Sequence, residues 1–206
     1  TITALQSLGF RVPGKKIVIN LAPADMHKKG SGYDLPIALG IIAASGQRDL
    51  PLLSDFMIMG ELGLDGEIKP VRGVLPIVKT AWENGIRRCI IPEKNAKEAA
   101  VIQEMEVIGA SSLVQLIQYL QAEKEMALIM DLIKAVRNNR SEVNIVPSKK
   151  VEVIMQATLE DIALMESGKV YFQTLGGLSS LEITLLRDEK PDKAMTARVG
   201  GIELYL

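Results

Sequence analysis

Cysteine, histidine and aromatic residues are nearly missing from this chain: one Cys (Cys89), one His (His27), and 4% Phe, Trp and Tyr in 206 residues. A lone thiol cannot close an internal disulfide, which points to a reducing, cytoplasmic setting. One histidine and one cysteine do not furnish a structural zinc centre, so no metal is expected. With so few rings, the core has to be built from Ile, Leu, Val, Ala and Met. Apolar residues make up 48% of the chain, enough for one generous domain or two small ones. No apolar run approaches the roughly 20 residues of a membrane-spanning helix, and no basic-then-apolar leader opens the chain. An excess of one charge is lacking too, since 24 Lys and Arg face 25 Asp and Glu. Contact with nucleic acid therefore has to rest on a local patch. The first residues, TITALQSLGF, carry an amphipathic helical pattern without an initiator Met, as expected of a piece of a longer polypeptide.

What is present is an alternation of short strands and ten-residue helices through residue 120. KKIVINLAP (15 to 23) is β-branched and reads as a strand. Asp34 is placed to cap a helix over LPIALGIIAAS, with Pro36 in its first turn and Gly46 as its stop. FMIMGEL and GEIKPVRGV read as strands joined at the hairpin signal Asp65-Gly66. LPIVKTAWENG follows as a helix, RRCIIP as a buried strand holding an inert Cys89, EKNAKEAAVIQE as a helix and MEVIGA as a strand. This order predicts a layered α/β domain over residues 1–121.

Residues 122–149 are expected as a helical segment and linker. Helical periodicity runs from Ser111 to Asn139, read as two helices, and the polar, Pro147-containing stretch NNRSEVNIVPSKK ends it. Residues 150–206 then read as a small α+β unit. KVEVIMQ is a strand, TLEDIALMESG a helix capped by Thr158 with Glu160 and Asp161 in its first turn, and KVYFQTL, LEITLLRD and ARVGGIELYL are strands. The pairs Gly176-Gly177 and Gly200-Gly201 are expected as turns or bulges.

The runs RVPGKKIVINLAPADMHKKGSGYDLPIALGIIAASGQ and MGELGLDGEIKPVRGVLPIVKTAWENGIRRCIIPEKNAKEAA resemble the ComM/YifB family of magnesium-chelatase-like proteins. The resemblance covers about the first 120 residues. It implies a domain similar to the proteolytic domain of Lon protease, set beside an AAA+ ATPase module linked to DNA recombination and natural transformation. It also implies assembly into a homo-oligomer, with a ring as the form. Two features depart from the family. No G-x-x-x-x-G-K-[ST] phosphate loop is present, and the family's first strands, ahead of TITALQSLGF, are missing. The tail from residue 121 resembles no part of it.

The resemblance also locates a site. Lon-type proteolysis uses a serine on the turn before a buried helix and a lysine base at the start of a later one. Laying GYDLP on that turn puts Asp34 at the serine position, and laying RGVLPIVKTAWENGI on the lysine segment puts Leu75 at the base. Neither side chain can do the chemistry, so a non-catalytic domain serving assembly and DNA engagement is expected. The competing reading is a Ser–Lys hydrolase remnant using Ser31 and Lys79. A third is a small binding protein with its specificity in the C-terminal unit. DNA contact would fall to Lys15, Lys16, Lys28, Lys29 and Arg72, extended by Arg87 and Arg88 where the fold brings them close. A phosphate cradle at Gly30-Ser31-Gly32 lacks the rest of a nucleotide motif, so no cofactor is expected.

Overall fold

Period-two alternation in the stretch Cys89-Ile90-Ile91 divides the first core into two. In the computed structural model, which describes residues 1–12, 14, 16–21, 30–146, 148–187, 191 and 194–206, all three side chains are fully buried. Cys89 and Ile91 enter one apolar cluster and Ile90 another. The chain separates into a unit spanning Thr1–Ala122 and one spanning Glu123–Leu206.

The first unit contains α1 (Ile2–Ser7), α2 (Asp34–Ala44), β1 (Phe56–Ile58), β2 (Glu61–Leu62), β3 (Ile68–Lys69), α3 (Val74–Glu83), β4 (Arg88–Pro92), α4 (Ala96–Ala99), β5 (Glu106–Ala110) and the start of α5 (Leu113–Glu142). Strands β1, β4 and β5 form a parallel sheet in that order. One face of it carries α1, α2 and the first turns of α5 through Leu5, Leu35, Leu39, Ile42, Leu113 and Leu120. The other face carries α3 and α4 through Val74, Val78 and Ala99. Helix α2 is apolar nearly all round, as its burial demands. The α/β class follows directly from this layering.

Several local expectations change. FMIMGEL is not one strand: β1 lies in the parallel sheet, whereas β2 pairs antiparallel with β3 around Asp65-Gly66. The break falls at Gly60, whose N–H donates to Gly32 O (2.9 Å) and whose carbonyl accepts from Leu35 N (3.0 Å). A Cβ there would stand 3.1 Å from both Ile68 and Leu35, so the helix entrance and the hairpin meet over bare backbone. Asp34 is not the cap. A 3₁₀ turn over Ser31–Tyr33 starts the helical path earlier, making Tyr33 the N-cap and Asp34 the first residue of α2. Its carboxylate accepts from Thr1 Oγ1 at 2.7 Å instead.

The strand expected at 15 to 23 is not formed over its described part, residues 16–21, because no strand of the described residues pairs with it; residues 15, 22 and 23 lie outside the description. EKNAKEAAVIQE gives only a 3₁₀ turn (Glu93–Asn95) and the single turn of α4, ending before the β-branched Val101 and Ile102.

The second unit is built on the remainder of α5 with β6 (Val151–Ala157), α6 (Leu159–Ser167), α7 (Lys169–Gly176), β7 (Leu178–Leu185), β8 (Thr196–Val199) and β9 (Ile202–Tyr205). Its sheet runs β7-β6-β9-β8, parallel between β6 and β7 and antiparallel elsewhere. A parallel pair needs a crossover, and α6 and α7 supply it. Val153, Met155 and Ala157 alternate inward against Ile129, Leu132, Ile133 and Val136 of α5, with Met165 and Phe172 completing the core. Thr158 caps α6 by accepting from Asp161 N at 3.3 Å.

KVYFQTL, expected as a strand, is helix α7. Its buried residues Phe172 and Gly176 fall one turn apart, and Gly177 closes it in the left-handed region at φ 68°. The two helices expected between residues 111 and 139 are one helix of 30 residues. The expected 122–149 linker is also displaced. Residues from Glu123 belong to the second unit, and Arg140 fixes the stretch after α5 by donating to Val146 O (3.2 Å) and Lys149 O (2.7 Å). Pro147 lies outside the described residues.

Leu39 and Phe172 are fully buried in different cores. Leu39→Ala and Phe172→Ala should each cost about 2–5 kcal/mol. Hydrogen-exchange mass spectrometry should find the first loss of protection within residues 1–122 and the second within 123–206; equal spread over both would mean one cooperative fold.

Candidate functional site

Gly30, at φ 104°, turns the chain into the 3₁₀ segment that carries Ser31. That segment borders a cavity of about 630 Å³, walled by Met57, Ile58 and Met59 of the β1 edge and by Pro70, Val71 and Arg72 after β3. Asn95 holds the second wall. It is buried, its Oδ1 accepts from Val71 N and its Nδ2 donates to Val71 O, both at 3.0 Å. Within this frame the Ser31 hydroxyl donates a short hydrogen bond to the Glu61 carboxylate. Glu61 also lines the cavity, as does the exposed Arg72.

Glu61 was not foreseen. Its only sequence signal is its place directly after Gly60, where β2 begins. A carboxylate on the serine hydroxyl fixes the proton's direction, and the exposed Arg72 guanidinium sets one positive charge on the same cavity as that negative one. The cavity thus has apolar walls, one oriented hydroxyl, one carboxylate and one cation.

The other expected residues do not gather here. Lys79 sits on α3 with its ammonium 3.8 Å from Glu83, in a pair whose side chains are 67% and 53% exposed, and it does not line the Ser31 cavity. Leu75 donates its backbone N–H to Glu98 at 3.2 Å. Lys16 lines a second, mostly apolar cavity of about 680 Å³ between residues 16–21 and α2; Tyr33 and Ile58 border both cavities. Lys15, Lys28, Lys29 and His27 lie outside the described residues. Arg87 stacks on Trp82 at 5.4 Å. Arg88 lies 4.2 Å from the Phe56 ring and donates to both oxygens of Glu106 at 2.8 and 3.0 Å. The Arg88 charge is already matched by Glu106, and neither arginine lines the cavity that Arg72 borders. Among the described residues no group of His, Cys, Asp and Glu is arranged to hold a metal ion, and no helix is long and apolar enough to cross a membrane.

Among the described residues of this unit, the surroundings shift the pKa of Cys89 and of Glu106. Burial, reinforced by the negative charge of Glu106, pushes the Cys89 thiol up to about 11. The hydrogen bond from Arg88, with its charge, holds the Glu106 carboxyl below its ordinary value of 4.5.

The chain resembles known proteins in two directions. Residues 1–95 match the family model described as subunit ChlI of Mg-chelatase. Competence protein ComM of Haemophilus influenzae is 38% identical over 132 residues, 64% of this chain and 26% of ComM. YifB of Escherichia coli is 31% identical over 167 residues, 81% of this chain and 30% of YifB. The chain therefore spans less than a third of these relatives. Valine–tRNA ligase of Clostridium tetani is 35% identical over 86 residues, 42% of this chain and 10% of the ligase.

Two measurements test the electrostatics. At pH 8 Cys89 should react with a disulfide reagent only as fast as the first unit opens, and at once in denaturant; rapid reaction of the folded chain would contradict its burial. Because the Glu106 pKa is lowered on folding, its stabilisation is present above pH 4.5 and lost as pH falls through the folded value. Arg88→Gln should thus destabilise at pH 7 by at most about 1 kcal/mol, the pair being half exposed. The difference from the parent should shrink in urea titrations as the pH is lowered below 4.5.

Proposed function

The N-terminal unit belongs to the ComM/YifB, magnesium-chelatase-like family, and from that premise we propose that it is a non-catalytic, Lon-like domain serving assembly and DNA engagement. One observation carries the reading: the Ser31 hydroxyl is bonded to Glu61, while Lys79 is spent on a solvent-exposed pair with Glu83. A Ser–Lys dyad needs the amine within hydrogen-bond reach of the hydroxyl, and desolvated enough to lose its proton near neutral pH. An ammonium two-thirds exposed beside a carboxylate meets neither demand. Asp34 and Leu75, which the resemblance lays on the Lon dyad positions, are engaged with Thr1 and Glu98. Lys16 and Arg72, bordering adjoining cavities, supply the described part of a cationic mouth suited to phosphate. The name of one relative, competence protein ComM, favours a role beside competence functions, the single cysteine favours a reducing compartment, and the family resemblance favours a homo-oligomer with a ring as its form.

A second reading concerns the C-terminal unit. The family model occupies residues 1–95, the ligase similarity spans 86 residues, and the C-terminal unit runs from Glu123 to Leu206. We infer that this unit carries the ligase likeness and is an RNA-facing binding module, the chain joining two modules of different descent.

A serine-reactive fluorophosphonate should leave Ser31 unlabelled, and Ser31→Ala should change no peptidase or esterase turnover, there being none. Stoichiometric labelling at Ser31, with turnover abolished by Ser31→Ala, would replace the scaffold reading by the hydrolase one.

A further inference from the structure

Charge in the C-terminal unit is unevenly placed. Residues 123–206 contain 11 Lys and Arg against 13 Asp and Glu. Yet the stretch RNNRSEVNIVPSKK, residues 137–150, contains Arg137, Arg140, Lys149 and Lys150 against the single carboxylate Glu142. An acidic unit thus concentrates four cations in one short segment.

The fold explains where they gather. Helix α5 ends at Glu142 and α7 at Gly176, and both leave terminal carbonyls in need of donors. Arg140, 7% exposed, donates to Gly176 O at 2.6 Å as well as to Val146 O and Lys149 O. Its donors are taken up by the protein. Arg137 donates Nε to Leu175 O at 2.8 Å. That bond orients the guanidinium and leaves its two terminal nitrogens without a partner among the described residues.

Arg137, Arg140, Ser141 and Thr174 line one cavity of about 470 Å³ that contains no carboxylate. The hydroxyls of Ser141 and Thr174 have no hydrogen-bond partner among the described residues. Lys149 and Lys150 are exposed and make no ion pair among the described residues, and the Lys149 carbonyl is one hydrogen bond from the Arg140 guanidinium.

An oriented guanidinium fork beside two free hydroxyls matches the oxygens of a phosphate diester. Flanking ammoniums suit a run of such groups, where each contact releases counterions. We propose that the corner formed by the C-terminal ends of α5 and α7 is a binding site for an RNA backbone. Arg137, Ser141 and Thr174 grip one phosphate, and Lys149 and Lys150 neutralise its neighbours. The site rests on reading this unit as an RNA-facing module, and contacts of this kind position a backbone without reading its sequence.

The test titrates the full 206-residue chain with a labelled tRNA transcript across a salt series. Arg137→Gln, Lys149→Gln and Lys150→Gln should each lower the log–log salt slope by about one, and the triple variant should bind at least about tenfold more weakly near 0.1 M salt. Lys169→Gln, which removes only a 3.3 Å pair with Glu166, should bind as the parent does. These substitutions change exposed side chains, and circular dichroism confirms the fold of each. If the parent binds tRNA and the triple variant binds equally well, the site is overturned while the RNA-facing reading stands. Loss of binding in Lys169→Gln would relocate the contact and also overturn the site. If the parent does not bind tRNA, both fall. Equal competition by duplex DNA of the same length overturns the assignment to RNA.

Discussion

Both cores depend on helix α5, and on where its apolar side chains fall. Leu113, Leu116, Ile117 and Leu120 recur at the spacing of one helical face and enter the first core. Ile129, Leu132, Ile133 and Val136 repeat that spacing in the second. Between them lies the charged run Gln121-Ala122-Glu123-Lys124-Glu125, which offers neither core a large apolar group. The unit boundary falls in this run, between Ala122 and Glu123. Burying each aliphatic side chain stabilises its unit by about 1.5–3 kcal/mol, so four per unit outweigh any preference of the backbone for a turn there. One uninterrupted helix is the consequence, where polarity alone suggests a linker.

The candidate site in the first unit depends on backbone approaching backbone. Gly60 and Gly32 exchange a hydrogen bond at 2.9 Å, and a Cβ on Gly32 would stand 3.3 Å from Met59 Cε. This closeness brings Ser31 within reach of Glu61, 30 residues later in the chain. The same geometry starts α2 early and frees Asp34 from capping. The pairing of hydroxyl with carboxylate, instead of with amine, therefore follows from how the helix entrance docks on the hairpin.

Much of this fold was legible in the sequence because its signals are local. Asp65-Gly66, the β-branched run around Cys89, Thr158 with its acidic first turn and the apolar face of LPIVKTAW all formed what their chemistry specifies. The failures needed tertiary information. KVYFQTL is β-rich in composition, and only the burial of Phe172 and Gly176 on one side makes it a helix. Residues 16–21 have strand composition, but no strand of the described residues pairs with them, and a strand is defined by the strand beside it. FMIMGEL carries no mark of the break at Gly60 except the glycine itself. At the site, Ser31 and Arg72 were identifiable by type and place. Glu61 was not, since nothing in GEL says that its side chain meets a serine.

Arginines in the second unit show how structural need and binding potential coincide. Two helices ending in one corner create a cluster of carbonyls, and neutral donors satisfy such carbonyls only one at a time. A guanidinium offers five N–H groups in a rigid plane, so a single Arg140 bridges the end of α7 and the stretch after α5. The cost of burying its charge is reduced by the negative ends of two helix dipoles. A Cβ on Gly177 would stand 2.2 Å from Arg140 Nη1, so the left-handed glycine that ends α7 also makes room for the guanidinium. Arg137, one turn earlier on α5, shares the arrangement through Leu175, and its outer nitrogens have no partner among the described residues. The corner that holds the unit together is thereby left with donors and positive charge in excess of its own carbonyls, and that excess, set among free hydroxyls and lacking a carboxylate, is what a phosphate requires.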